Sequence, residues 1–112
     1  MKAIVFSGTS EGREISEYLN GKKILTEVFV ATDYGRDTMS NLEYVIINAG
    51  RLDEEEIKSA VLEADFVIDA THPFAEIVTK YIFSACAEFG IEYIRLLREK
   101  TYSGVRGIIY VN

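Results

Sequence analysis

The chain contains a single cysteine, Cys86, and a single histidine, His72, among its 112 residues. One cysteine cannot form an internal disulfide or a cysteine-based metal site, which agrees with a reducing compartment. One histidine adds no second ligand of the kind that zinc prefers. The sequence therefore gives no support to a metal centre.

Long apolar runs are missing too. The longest, such as residues 44–47, fall far short of the roughly 18 residues that a membrane span needs, and no basic and then apolar leader opens the chain. Acidic residues outnumber basic ones, 18 to 12, and the formal net charge of −6 argues against nucleic acid or an anionic membrane surface as the main partner. We therefore expect a cytoplasmic protein that binds neither.

Proline occurs once, and a composition of 48% hydrophobic and 27% charged residues is typical of one compact domain. Short runs rich in β-branched residues predict strands at residues 3–6, 24–31, 44–48, 66–69 and 91–96. Because these runs are almost continuously apolar, both faces of the sheet must be covered, as in parallel sheets. The sequence predicts an α/β fold, a single domain built on a Rossmann-like, doubly wound parallel sheet.

Helical patterns lie between several of these strands. A short first helix is expected at about residues 11–19. A second covers residues 53–64, where Asp53 and Glu56 have the spacing of a capping box. Four of its apolar residues are predicted to face inward: Ile57, Ala60, Val61 and Ala64.

The third helix is predicted to follow Pro73, which suits the first turn of a helix and makes His72 a cap-region residue. Gly90 supplies its C-terminal stop, and Cys86 borders its apolar stripe as a small buried side chain. That stripe, expected to face the core, consists of Phe74, Ile77, Val78, Tyr81, Ile82, Ala85 and Phe89.

Ligands of doubly wound sheets sit beyond the carboxyl ends of the strands. In this chain the corresponding segments, residues 7–13, 32–36, 50–52 and 71–74, contain Arg13, Arg36, Arg51 and His72. Most of the acidic residues fall on the predicted helices instead. A locally basic edge in an acidic protein indicates an anionic ligand.

Residues 7–13, Ser-Gly-Thr-Ser-Glu-Gly-Arg, follow the first predicted strand. They fit neither common phosphate fingerprint, because their two glycines are four apart and an arginine stands where the Walker pattern has lysine. Gly8 can still let the backbone approach a pyrophosphate, to which the N–H groups and hydroxyls of Thr9 and Ser10 can donate at the start of a helix. The alternative is a tight turn and an N-cap that bind no ligand.

The segment after the second predicted strand distinguishes the nucleotides. An acidic residue there accepts a hydrogen bond from the ribose 2′-hydroxyl of NAD, whereas an arginine pairs with the 2′-phosphate of NADP. Both are present, as Asp33 and Arg36. Thr32 and Arg36, with Arg13 close by, can form a phosphate pocket, which favours NADPH over NADH. The alternative is a polar loop without a ligand.

Five segments resemble, in their order, the motifs of the precorrin-6A reductases of cobalamin biosynthesis, including the cobalt-precorrin form. They are residues 7–13, 31–35 (Ala-Thr-Asp-Tyr-Gly), 50–53 (Gly-Arg-Leu-Asp), 69–75 (Asp-Ala-Thr-His-Pro-Phe-Ala) and 93–98 (Tyr-Ile-Arg-Leu-Leu-Arg). The likeness covers nearly the whole chain. It departs from the family at Ser7, where glycine is usual, and its 112 residues are about half the length of those two-domain enzymes.

The resemblance implies NADPH-dependent reduction of one double bond in an anionic tetrapyrrole, precorrin-6A or its cobalt form. It also implies that residues 1–112 are the NADP-binding first half of a two-domain reductase, and that a second domain or subunit supplies the rest of the active site. His72 would then donate a proton or neutralise a substrate carboxylate, and Arg51 and His72 would bind such carboxylates. The implied cofactor-binding residues are Gly8, Thr9, Ser10, Arg13, Thr32 and Arg36.

Three alternatives stay open on the sequence. His72 can be a solvated loop histidine with no catalytic role. The chain can be a nucleotide-binding domain without turnover of its own. It can also be another short-chain NAD(P)-dependent oxidoreductase or an epimerase, which a Tyr-x-x-x-Lys pair would favour. Fold analogy alone does not choose among them.

Overall fold

The computed structural model describes residues 1–31, 42–98 and 106–111. Within them lie six strands and three helices. The strands are β1 (Lys2–Ser7), β2 (Leu25–Val30), β3 (Val45–Ala49), β4 (Phe66–Ala70), β5 (Glu92–Arg98) and β6 (Arg106–Val111), and the helices are α1 (Ser10–Gly21), α2 (Glu54–Leu62) and α3 (Glu76–Phe89). The first five strands match the sequence prediction to within one or two residues, and β6 was not predicted.

The strands form one sheet in the order β3-β2-β1-β4-β5-β6. The strands from β1 to β5 pair in parallel, and β6 pairs antiparallel with β5. The chain thus builds outward from β1 in one direction, through β2 and β3, and then in the other, through β4 and β5. This order confirms the predicted Rossmann-like, doubly wound sheet.

Helices cover both faces of the sheet. Along β1, Ile4 and Phe6 belong to the cluster that includes buried residues of α2 and α3, whereas Ala3 and Val5 belong to the cluster that includes Leu19 of α1. All five side chains are buried. Because neither face is left to water, the strands have no need of alternating polar residues.

Helix α2 begins as the sequence predicts. The backbone N–H of Glu56 donates to Asp53 Oδ1 (2.8 Å), and the backbone N–H of Asp53 donates to Glu56 Oε1 (2.9 Å), which completes a capping box. The four apolar residues expected to face inward, Ile57, Ala60, Val61 and Ala64, are all buried. Among the helices that the structure describes, none combines the length and the apolar character that crossing a membrane requires.

Helix α3 differs from its prediction at the N-terminus. It starts at Glu76, and Pro73 lies in the preceding turn, which the backbone N–H of Ala75 closes by donating to the carbonyl of His72 (2.9 Å). Phe74 and Ile77 are 88% and 67% exposed, so their placement in the core was wrong. Phe74 precedes the helix. Ile77 is in its first turn, which lies beyond the edge of the sheet because β4 ends at Ala70.

The rest of α3 follows the prediction. Ile82, Ala85 and Cys86 are buried, and Val78, Tyr81 and Phe89 pack against the same cluster. The helix ends at Gly90, whose φ of 68° is the left-handed conformation that glycine adopts without a steric penalty.

Candidate active site

The loops that follow β1 and β4 meet at the carboxyl edge of the sheet. These strands are neighbours, but the helices that follow them lie on opposite faces, which is the place where doubly wound sheets form their ligand crevice. The backbone N–H of Gly8 and the hydroxyl of Thr9 both donate to the carbonyl of Ala70, at 3.1 and 3.0 Å. The two loops are therefore fixed to each other at the point where doubly wound folds bind their ligands.

This crevice has a volume of about 560 Å³. Its wall is mostly apolar and comes from the ends of β1 and β2, the segments after β3 and β4, and the start of α3. The sequence-predicted site residues Gly8, Arg51 and His72 line it together. A mainly apolar cleft with a few polar groups is the usual form of a small-molecule site.

Two glycines allow the β1 loop to pack this closely. A Cβ atom on Gly8 would stand 3.2 Å from the backbone nitrogen of His72 and 3.4 Å from the Cα of Thr71. A Cβ atom on Gly12 would stand 2.7 Å from the Cβ of Ser7. Ser7, the departure from the family pattern, therefore occupies the space that Gly12 leaves open. Both glycines thus permit close packing within the protein, whereas the sequence analysis had assigned Gly8 to the approach of a pyrophosphate.

The start of α1 differs in detail from the prediction. Thr9 is the N-cap residue, but its hydroxyl donates to Ala70 instead of capping the helix. The Ser10 hydroxyl donates to Glu11 Oε2 (3.1 Å). These hydroxyl hydrogens are thus already engaged, so the expectation that they donate to a pyrophosphate is weakened. The backbone N–H of Gly12 also donates already, to the carbonyl of Thr9 (3.1 Å). The positive end of the helix dipole still favours an anion at this place.

The other predicted cations lie at different places. Arg51 follows Gly50 beyond β3, whereas His72 follows β4, three strands away in the sheet. Since neighbouring strands are about 4.8 Å apart, roughly 14 Å separates their strand ends. Arg13 is exposed on α1 and does not line the crevice. Thr32 and Arg36, the predicted readers of the 2′-phosphate, lie outside the described residues.

His72 is exposed at the mouth of the crevice. Its Nδ1 accepts a hydrogen bond from the backbone N–H of Phe74 (3.2 Å), and the two rings tilt against each other with centroids 4.9 Å apart. Since Nδ1 acts as an acceptor, the neutral ring carries its proton on Nε2. In this tautomer Nε2 can donate a hydrogen bond to an anion. To give a proton, the ring must first become an imidazolium, in which Nδ1 no longer accepts from Phe74.

A buried polar network supports this loop, and the sequence reasoning missed it. Asp69 is fully buried, and its carboxylate accepts from the hydroxyls of Thr71 (2.7 Å), Thr79 (2.9 Å) and Tyr93 (2.7 Å). Arg95 Nη1 lies 3.0 Å from Asp69 Oδ1 and 2.9 Å from the carbonyl oxygen of Thr71. The spacing of Tyr93 and Arg95, two apart on β5 and hence on one face, was the signal available in the sequence.

The network also changes the acidity of its neighbours. Burial, together with the hydrogen bond to Asp69, raises the pKa of the Tyr93 hydroxyl. Burial, and then the charge of Asp69, raises the pKa of the Cys86 thiol to about 12. Both groups are therefore neutral at physiological pH. In the part of the chain that the structure describes, no three His, Cys, Asp or Glu residues are grouped so that they could hold a metal ion.

One Tyr-x-x-x-Lys pair, Tyr18 and Lys22, is present in the chain. The Nζ atom of Lys22 lies 5.6 Å from the centre of the Tyr18 ring, and Tyr18 is 58% exposed. Tyr18 comes eight residues after Ser10, the first residue of α1, so it lies roughly 12 Å along the helix away from the crevice. This position does not fit a catalytic pair of the short-chain oxidoreductase type.

Comparison with known proteins agrees with the motifs. A family model described as precorrin-6x reductase CbiJ/CobK matches residues 2–112. A cobalt-precorrin-6A reductase from Methanocaldococcus jannaschii is 32% identical over 99% of this chain and 45% of its own length. One from Methanothermobacter thermautotrophicus is 35% identical over 88% of this chain and 33% of its own length, and one from Salmonella typhimurium is 28% identical over 91% and 39%.

The chain spans less than half the length of these relatives. The match nevertheless includes the β1 and β4 loops and the strand that carries Tyr93 and Arg95. With a family model that matches from the second residue to the last, the chain belongs to the precorrin-6x reductase CbiJ/CobK family.

Proposed function

We propose that this chain is the nucleotide-binding part of an enzyme that uses NADPH to reduce one double bond of cobalt-precorrin-6A or precorrin-6A, an anionic tetrapyrrole. The observation that carries the proposal is the crevice at the carboxyl edge of the sheet, with Gly8 and His72 on its wall. The family and the names of the curated relatives support the reaction class.

The residues present fit a dinucleotide. Gly8 keeps the β1 loop free of a side chain at the crevice wall, and Gly12 lets α1 start close to β1. The N–H groups at the start of α1 would hold the pyrophosphate. Phe29, Val30 and Leu52 line the β2 and β3 side of the crevice and would contact the adenosine half.

We propose that the nucleotide is NADPH because Thr32 and Arg36 follow β2 in the sequence and would bind the 2′-phosphate. Arg13 is the further cation that the sequence predicts for this pocket. Arg51 was expected to bind a substrate carboxylate. Its position beyond β3, away from His72, favours a contact with the nucleotide phosphates, and we assign it to that side. His72 remains the proposed ligand of a substrate carboxylate.

His72 would act on the tetrapyrrole, either as a proton donor or as a ligand of a carboxylate. When bound, the reduced nicotinamide supplies a hydride to one carbon of the double bond. The other carbon then takes a proton. His72 can supply it from Nε2 only as an imidazolium, so the ring must first take up a proton on Nδ1 and give up the hydrogen bond from the Phe74 backbone. Nε2 of the neutral ring can instead donate a hydrogen bond to a substrate carboxylate and fix the macrocycle.

The exposure of the crevice mouth supports the alternative that this chain binds the nucleotide but has no turnover of its own. His72, Phe74 and Ile77 are all exposed on this side. Hydride transfer needs a site from which water is excluded. We propose that a second domain or subunit covers these residues and completes the active site, as the greater length of the curated relatives suggests.

The test compares this chain alone with an assembled enzyme, in which it is joined to the second half of the Methanocaldococcus jannaschii relative. We expect the assembled enzyme to oxidise NADPH in step with reduction of cobalt-precorrin-6A. The chain alone should bind NADPH without reducing the tetrapyrrole, because the reacting atoms need near-attack positioning. An assembled enzyme that is folded and binds NADPH but leaves the tetrapyrrole unchanged would contradict the proposal. Full turnover by the chain alone would show that no second half is needed.

A further inference from the structure

The peptide that joins Thr71 to His72 is held from two sides. On one side, the backbone nitrogen of His72 lies against Gly8, at a distance of 3.2 Å from the place of a Cβ atom there. On the other side, Arg95 Nη1 donates to the carbonyl oxygen of Thr71 at 2.9 Å. This peptide unit sets where the His72 side chain begins.

Arg95 reaches Thr71 from a neighbouring strand. Asp69 on β4 and Arg95 on β5 are register partners, and the Arg95 side chain is only 11% exposed. Its Nη1 lies 3.0 Å from Asp69 Oδ1 and 3.1 Å from the backbone oxygen of Asp69. The carboxylate of Asp69 thus fixes the guanidinium, and the guanidinium in turn fixes the Thr71 carbonyl.

Such a buried ion pair is a weak source of stability, because the cost of removing both charges from water offsets most of their attraction. A well-packed apolar pair could hold β4 to β5 at least as well. It could not donate to the carbonyl of Thr71. The charged pair therefore adds a hydrogen bond that fixes the turn before His72.

We infer that Arg95 is a positioning residue that holds the His72 imidazole at the crevice by fixing the Thr71–His72 peptide. Its importance for the reaction rests on the proposed function, whereas the positioning itself does not. Arg95 acts through the Thr71 backbone and does not itself line the crevice.

Tyr93 provides a matched control within the same network. Its hydroxyl donates to Asp69 Oδ2 at 2.7 Å, the oxygen opposite to the one that Arg95 and Thr71 contact. Tyr93→Phe therefore removes a buried hydrogen bond to Asp69 but leaves the contact between Arg95 and Thr71. The contacts of Arg95 with Asp69 and Thr71 all come from Nη1. Arg95→Lys keeps the positive charge but ends one bond short of Nη1, so its ammonium should pair with Asp69 and fall short of the Thr71 carbonyl.

The experiment observes His72 by NMR in the 112-residue chain without nucleotide. His72 is the only histidine, so its ring protons give a single set of signals. These signals carry the shift that the nearby Phe74 ring imposes on them, since the ring centroids are 4.9 Å apart. Circular dichroism and melting curves establish that each variant is folded at the temperature of the measurement.

We expect Arg95→Lys to move the His72 ring signals towards the values of an unstructured peptide, and Tyr93→Phe to leave them at the wild-type positions even if it lowers the melting temperature. If Arg95→Lys fails to fold, the double variant Asp69→Asn with Arg95→Met decides. It replaces the ion pair by a neutral pair of similar size and removes the donor to the Thr71 carbonyl, so it should shift the His72 signals in the same direction. Wild-type His72 signals in the folded Arg95→Lys chain, or in the double variant where that one decides, would overturn the inference.

In the assembled enzyme, Arg95→Lys should lower kcat at least tenfold and change the affinity for NADPH less than threefold. In a His72→Ala background, Arg95→Lys should lower kcat by less than threefold further, because its effect passes through His72. Shifted His72 signals without any loss of kcat would uphold the positioning by Arg95. They would refute the proposed role of His72 in the reaction, so the two failures are distinguishable.

Discussion

Gly8 lies so close to the backbone nitrogen of His72 that a methyl group at residue 8 would stand 3.2 Å from it. The β1 loop, which would receive the pyrophosphate, and the β4 turn, which carries the proposed proton donor, are therefore one packed unit. A change in either loop should affect the other.

Gly8→Ala tests this contact. We expect the substitution to push the loops apart and to weaken NADPH binding at least tenfold, which corresponds to about 1.4 kcal/mol. Gly21→Ala is the matched control, because a Cβ atom at Gly21 meets nothing within 4 Å and alanine suits the end of α1. Calorimetric titration of the two variants with NADPH gives the comparison. Equal affinities in both would show that the Gly8 contact has no part in binding.

The choice of cofactor depends on Thr32 and Arg36. We expect the chain to bind NADPH more tightly than NADH by roughly 1.5–3 kcal/mol, the usual contribution of hydrogen bonds to a charged group. Arg36→Ala should abolish the difference by weakening NADPH binding and leaving NADH binding unchanged. Calorimetry with both nucleotides measures it, and a preference for NADH would contradict the assignment.

Two variants distinguish the two proposed roles of His72, proton donation and substrate binding, in the assembled enzyme. His72→Ala should lower kcat or weaken substrate binding and leave NADPH affinity within about threefold, or 0.7 kcal/mol. His72→Asn keeps a hydrogen-bond donor but gives up no proton near neutral pH. Steady-state kinetics that show full activity in His72→Asn and low activity in His72→Ala would assign positioning. Full activity in both variants would show that His72 is a solvated loop residue with no catalytic role.

The raised pKa values of Cys86 and Tyr93 predict how stability depends on pH. The folded chain holds the thiol proton up to about pH 12, whereas an unperturbed cysteine has a pKa of 9.0. Unfolding therefore releases protons above about pH 9, and the free energy of unfolding falls as the pH rises through that range. Urea denaturation at a series of pH values should show this fall, with a smaller slope for Cys86→Ala. The same slope in that variant would mean that Cys86 ionises freely in the fold.

The sequence predicted the first five strands well, because central strands such as β1 and β4 are buried on both faces and their apolar runs can be recognised without knowing the neighbouring strands. The capping box at Asp53 and Glu56 was equally local. Phe74 and Ile77 were misplaced because helical periodicity gives the face of a residue but not how far the sheet extends beneath it. The contact between Asp69 and Arg95 depends on the register of β4 against β5, which no local pattern contains.

NADPH can be mapped onto the 15N-labelled chain through changes in amide chemical shifts. We expect the largest changes from Gly8 to Gly12, at Arg51 and at His72, which line the crevice or begin α1. The amide of Asp65, hydrogen-bonded to the Lys2 carbonyl at the opposite end of the sheet, should not move. Absence of binding, or largest changes around Asp65, would contradict the claim that this crevice binds the nucleotide.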